Sequence, residues 1–122
     1  MQEIFGKQKL KDVRIRMRLM QKIQIPTPTG IELIQPDKLS HISMEGERYC
    51  WFVMTCGKRE LVRTLFSEIL IHLPSPPFYQ VHKEHIVHFG RVKKIIGGNG
   101  MKLELESGVF LPISKKMIDQ IL

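Results

Sequence analysis

With 122 residues, 43% of them apolar and 25% charged, the chain has the size and composition of one folded domain with its own core. Its 19 Lys+Arg against 12 Asp+Glu leave a net charge of +7, which favours a polyanionic partner or an anionic surface over a cationic one. Two cysteines, Cys50 and Cys56, exclude a disulfide-rich scaffold, and no apolar run reads as a secretion signal or approaches the ~20 residues of a membrane span; the expectation is a cytoplasmic protein with reduced thiols.

Taken from its start, the chain divides into a basic arm or linker over 1–21 and a domain over 22–122. Residues 1–22 carry seven Lys/Arg against Glu3 and Asp12, a net +5, so the charge excess sits mostly at the front. Two readings of the arm stand side by side. Val13, Ile15, Met17 and Leu19 alternate with Arg14, Arg16 and Arg18 at a strand period. Leu10, Val13, Met17 and Met20 are spaced as a helical seam, which the strong helix formers around them favour.

From Lys22 the texture changes to short strands with turns. Ile23–Pro26 and Ile31–Ile34 form a hairpin about Thr27-Pro28-Thr29-Gly30. A third strand is expected at His41–Met44, and a strongly β-prone run at Arg48–Thr55 leads through Gly57-Lys58 into Glu60-Leu61-Val62. Thr64 is placed to cap a helix whose apolar face is Leu65, Ile69 and Leu73, and Pro74 ends it. Further strands are expected at Ile86–Phe89, Val92–Ile96, Met101–Leu105 and Val109–Ile113. Gly97-Gly98-Asn99-Gly100 and Glu106-Ser107-Gly108 supply the tight turns. Ser114 caps a closing helix from Lys115 to Leu122. This is a mostly β domain of eight or more short strands with one or two short helices.

No obvious recognition helix is present, so nucleic-acid contacts would have to come from loops and strand ends. Four clusters have the required cations and long polar side chains: Arg48-Tyr49, Arg63-Thr64, His82-Lys83 with His85, and Lys115-Lys116. Each is weak evidence by itself. The order of elements around them strengthens the case. Leu73, Pro74, Phe78, Val81, His82, Lys83, Ile86, Val87, Val92, Lys93 and Ile95 resemble the L-P-x-x-x-F-x-x-(V/C)-H-R-S-Y-I-V-N and V-K-x-I run of LytTR-type DNA-binding domains of bacterial transcription regulators. The hairpin Lys22–Ile34, the segment Leu39–Gly46, the approach Leu61–Leu65 and the closing Leu111–Lys116 are similar to other parts of that family in the same order.

What the resemblance implies is a LytTR-like fold of about ten short strands in small antiparallel sheets with one or two short helices, acting as a sequence-specific regulator whose loops enter the grooves of double-stranded DNA. It also implies promoter direct repeats as targets and a homodimer on the DNA. A sensor kinase or receiver domain would be a partner only if the chain is part of a longer regulator, since 122 residues leave no room for a receiver. Carried over by position, Arg48, Tyr49, Arg63, Thr64, His82, Lys83, His85, Lys115 and Lys116 fall where the family contacts DNA. The departures are Glu84 for Ser, His85 for Tyr, His88 for Asn and Lys115 for Arg, with Glu45 and Glu47 flanking a loop that approaches phosphates.

Rival readings are weaker. His82, His85 and His88 with the cysteines offer the ligand types of a zinc site, yet within one strand His82 and His85 fall on opposite faces and neither CxxC nor HExxH occurs. Cys50 lies in an apolar run and reads as core, not as a nucleophile. Gly97–Gly100 lacks the Gly-Lys-Ser/Thr of a phosphate loop, and Trp51 and Phe52 read as core instead of a base-stacking platform. No enzyme, metal or cofactor is expected. The alternative of another class is a protein-interaction or membrane-surface module built on a basic amphipathic helix within residues 1–22.

Overall fold

The computed structural model describes residues 22–98 and 100–121, so both readings of the basic arm lie outside the described residues. Among the described residues, ten strands make three small antiparallel sheets, accompanied by two short α-helices. The first sheet is the hairpin β1 (Ile23–Thr27) and β2 (Gly30–Ile34), in a register that pairs Ile23 with Ile34 and buries Ile23, Ile25 and Ile34 while Ile31 and Leu33 face outward. The second, five-stranded sheet is built from β3 (Leu39–Glu45), β4 (Tyr49–Met54), β5 (Arg59–Arg63), β6 (Phe78–His82) and β7 (His85–His88), in the order β5-β4-β3-β7-β6. The third contains β8 (Val92–Ile96), β9 (Lys102–Leu105) and β10 (Phe110–Pro112). Helix α1 (Phe66–His72) joins β5 to β6, and α2 (Lys115–Ile121) follows β10.

The five-stranded sheet is the centre because both of its faces are used. On one face Ile42, Cys50, Phe52, Val62 and Ile86 meet Ile23, Ile25 and Ile34 of the hairpin and Phe66, Ile69 and Leu73 of α1. On the other, Val81 and Val87 pack with Leu103, Leu105, Leu111 and Ile113, closed off by Met117 and Ile118 of α2. Arg91 holds the two halves together: its Nη2 donates to the carbonyl of Asp37 at 2.6 Å and its Nη1 lies 3.7 Å from Glu106.

One strand, β6, was not expected, and two local expectations are corrected. The strand β6 has no clean alternation (Phe-Tyr-Gln-Val-His), because both of its faces are partly covered and a bulge between Gln80 and His82 breaks the period. The helix α1 begins at Phe66, with Leu65 at the N-cap and no side-chain cap; its buried face is Phe66, Ile69 and Leu73, while Leu65 is 48% exposed. Trp51 is not core. It points away from Phe52, with its ring 4.2 Å from the Arg59 guanidinium and its Nε1 donating to Glu45 at 3.1 Å. The Ser114 cap is as expected, its Oγ accepting from the Met117 N–H at 3.2 Å.

Candidate nucleic-acid interface

Antiparallel pairing decides which loops share an end of a sheet. In β3, Glu45 lies opposite Tyr49 of β4, and Tyr49 opposite Arg63 of β5. On the other side Ser43 of β3 lies opposite His85 of β7, which is paired with His82 of β6. The loop Glu45–Arg48, the end of β5 and the turn His82–His85 therefore lie along one edge of the five-stranded sheet. From β5 to β6 that edge measures about 19 Å, four strand spacings of ~4.8 Å. The Ser114 N–H donates to the Val81 carbonyl at 3.1 Å, which brings the start of α2, with Lys115 and Lys116, beside the same edge. Residues separated by up to 68 positions in sequence, from Arg48 to Lys116, are gathered by topology alone.

At the β5 side, the Thr64 N–H donates to the Arg48 carbonyl at 2.9 Å and the Cys50 thiol, at 3.7 Å, faces the Thr64 carbonyl. These bonds fix the strand end, and Arg48, Arg63, Thr64, Leu65 and Glu68 line a shallow depression there. Gly46 has φ +71° at the tip of the preceding loop, a conformation that permits the tight return to Arg48. The N-terminus of α1 is a poor site for a phosphate, because the helix is only 7 residues long and Glu68 stands in its first turn.

The β6 side is built by a histidine turn. His85 Nδ1 lies 2.8 Å from Ser43 Oγ, the His82 and His85 ring centroids are 5.4 Å apart, and the Glu84 N–H donates to His82 Nδ1 at 3.2 Å. Met44 N–H donates to the Glu84 carbonyl at 2.9 Å, pinning the turn to β3. Lys83 is exposed at its tip. Burial lowers the His85 pKa and His82 lowers it further, with Glu84 acting in the opposite direction. Behind it His41 is pushed down to about 4, chiefly by burial and then by His85.

His82 and His85 are thus neighbours in two strands, not residues on opposite faces of one. They still make no metal centre: among the described residues no group of three or more His, Cys, Asp or Glu converges. His88 is engaged elsewhere, its Nδ1 accepting from the Gly90 N–H at 3.0 Å and its ring edge-on to Phe78. Cys50 is buried, with burial raising its pKa, and Cys56 is exposed. No described helix is long and apolar enough to cross a membrane.

Two residues of this edge escape a reading along the chain. Ser43 holds His85 in place, and only the β3–β7 register shows it. Leu65 is an exposed apolar side chain between Arg48 and Arg63; its position one residue before the buried face of α1 is the only local sign.

Comparison with known proteins bears on the whole domain. Residues 29–122 match the model of the LytTr DNA-binding domain family. Among solved structures the chain is similar to the LytTr DNA-binding domain of a putative methyl-accepting/DNA response regulator from Bacillus cereus. That likeness has a TM-score of 0.68 at 16% identity and covers 82% of this chain and 92% of that one. No curated protein matches.

Proposed function

The chain belongs to the LytTr DNA-binding domain family, and from that premise we propose that it is a sequence-reading regulator of transcription that grips duplex DNA with one edge of its central sheet. The observation that carries this reading is the convergence of four basic clusters, from distant parts of the chain, on that edge. A row about 19 Å long at ~4.8 Å per strand exceeds the ~12 Å width of a major groove. The row is therefore long enough for its cations to reach phosphates on both sides of a groove.

In this reading Arg63, Lys83, Lys115 and Lys116 hold phosphates, and base contacts come from among Arg48, Tyr49, Thr64 and His82, with His85 supporting the turn. Arg48 offers a planar fork suited to guanine, whereas Lys115 acts as a point charge. Leu65, exposed beside Arg48, suits the methyl group of thymine. Binding as a homodimer to promoter direct repeats, and control by a sensor kinase through a receiver domain, belong to the same proposal, as does a bacterial cytoplasmic location.

Selection from a random duplex pool, at low and at physiological salt, tests it. Enrichment of a short motif in spaced direct repeats is the expected result; salt-sensitive retention with no enriched motif would sink sequence reading. On a selected site, Lys83→Ala and Lys115→Ala should each weaken binding across all sequences and lower the salt slope by about one unit. A slope unchanged in both variants removes those lysines from the interface.

A further inference from the structure

Strand β5 closes one side of the five-stranded sheet, where it is paired with β4 alone. The Thr64 N–H donates to the Arg48 carbonyl and the Met54 N–H to the Lys58 carbonyl, so Arg48 with Thr64 and Met54 with Lys58 are hydrogen-bonded pairs of this antiparallel ladder. By alternation Glu60 and Val62 bond to β4, and the backbone N–H and C=O of Arg59, Leu61 and Arg63 point away from the sheet. Among the described residues no other backbone bond reaches them. A strand left open in this way is a template for one more.

The outer face beside this strand is apolar and open. Trp51 of β4 lies opposite Leu61, with Tyr49 and Val53 before and after it on the same face. Leu61 is 46% exposed, and the third sheet packs against Val81 and Val87 of β6 and β7, away from this side. Arg59 and Arg63 flank Leu61 on that face, about 13 Å apart at ~3.3 Å per residue. Both are exposed, and among the described residues neither is in an ion pair with a carboxylate. Lys58, by contrast, is matched by Glu32 and Glu60, and Glu45 is held by the Trp51 Nε1.

Charge selects what can add to β5. A second copy, paired antiparallel about Leu61, sets each copy's Arg59 against the other's Arg63, and like charges directly opposite are destabilising. Residues 1–22, at net +5, carry that same sign. We propose that β5 takes up an extended acidic segment of a partner protein as a sixth, antiparallel strand of the sheet. The segment reads acid-x-apolar-x-acid, with carboxylates opposite Arg59 and Arg63 and a β-branched residue opposite Leu61. These three positions share one face of a strand and so meet the three side chains of β5 together. Duplex DNA could match the two arginines but has no peptide backbone to pair with Arg59, Leu61 and Arg63. Arg59 also stands at the end of β5 remote from the Arg48 loop.

The probe is the capped peptide Thr-Asp-Thr-Val-Thr-Asp-Thr, titrated into the isotope-labelled full chain and followed by NMR. Saturable shifts are expected at the amides of Arg59, Leu61 and Arg63 and at the Trp51 indole, and hydrogen exchange of those three amides should slow. Lysine in place of both aspartates should weaken binding about tenfold, the combined worth of two cross-strand charge pairs. Methylating the valine nitrogen, which keeps the charges and removes a ladder bond, should abolish it. Arg59→Glu, a change at an exposed side chain, should lose the original peptide and gain the one with lysine at its second aspartate, as the antiparallel sense requires. No saturable shift, equal affinity for the aspartate and lysine peptides, or full binding of the methylated peptide overturns the sixth strand. Shifts centred on Lys83 and Lys115 would show only an acid on a basic protein and overturn it too. Binding seen only after removal of residues 1–21 assigns β5 to that segment, and shifts of Arg59 and Leu61 with duplex DNA but not with peptide assign it to DNA; either result overturns it.

Discussion

His41 sits in the middle of β3, 5% exposed, with its Nδ1 3.1 Å from Ser40 Oγ. Burial and the neighbouring His85 push its pKa down to about 4, so the folded domain resists a proton that the unfolded chain accepts near ~6.5. The contribution is complete above the unfolded value and is lost as pH falls from there towards the folded one. At pH 5 this side chain alone removes about 2 kcal/mol, from ~1.4 kcal/mol per pH unit. His85 and His88, both lowered mainly by burial, act in the same direction. Urea unfolding at pH 7 and pH 5 should show the loss, and His41→Gln should flatten it while lowering stability at pH 7. A wild-type free energy equal at both pH values would refute the assignment. The burial of His41 has no signature in its neighbours along the chain, since His41–Met44 reads as an ordinary short strand; His41 pairs with Val87, which packs against the third sheet.

At the scale of elements, β4 shows how far a local pattern can be trusted. Tyr-Cys-Trp-Phe-Val-Met is β-prone throughout, and every residue in it looks fit for a core. Pairing with β3 and β5 places Cys50, Phe52 and Met54 inward and leaves Trp51 on the half of the opposite face that the third sheet does not cover. Phe52→Ala should therefore cost about 3–5 kcal/mol in denaturant unfolding, the usual range for a buried aromatic. Trp51→Ala should cost about 1 kcal/mol, the worth of an exposed cation–π contact with Arg59 and a surface hydrogen bond to Glu45. Equal losses in the two variants would mean that the outer face is also covered. Hairpins with glycine turns and the Ser114-capped α2 were readable because their determinants are local. The strand β6 and the true face of α1 were not, because a bulge and the packing of Phe66 set them.

For the whole molecule, charge is arranged less simply than the total of +7 suggests. Along the edge proposed to face DNA, Arg48, Arg63, Lys83, Lys115 and Lys116 are accompanied by Glu45, Glu47, Glu68 and Glu84, so five cations meet four carboxylates. An edge so nearly balanced gains little non-specific affinity and leaves discrimination to positioned contacts. Glu84→Gln keeps the backbone bonds of the turn and removes one repulsive charge. It should tighten DNA binding by about two- to fivefold at low ionic strength, the gain shrinking once salt shortens the Debye length to ~8 Å. Binding that stays the same at low salt would place Glu84 away from the phosphates.

Strand propensity, glycine turns, the helix stop at Pro74, the helix start at Ser114 and the order of motifs were enough to determine a mostly β domain of the LytTR kind, because the local signals each depend on residues a few positions apart. The clusters Arg48-Tyr49, Arg63-Thr64, His82-Lys83 and Lys115-Lys116 could be named from the chain but not joined. Only strand order and register put them on one edge, set Ser43 against His85 and turned Trp51 outward. Those features depend on pairing between distant segments, where a shift of one residue exchanges the two faces of a strand.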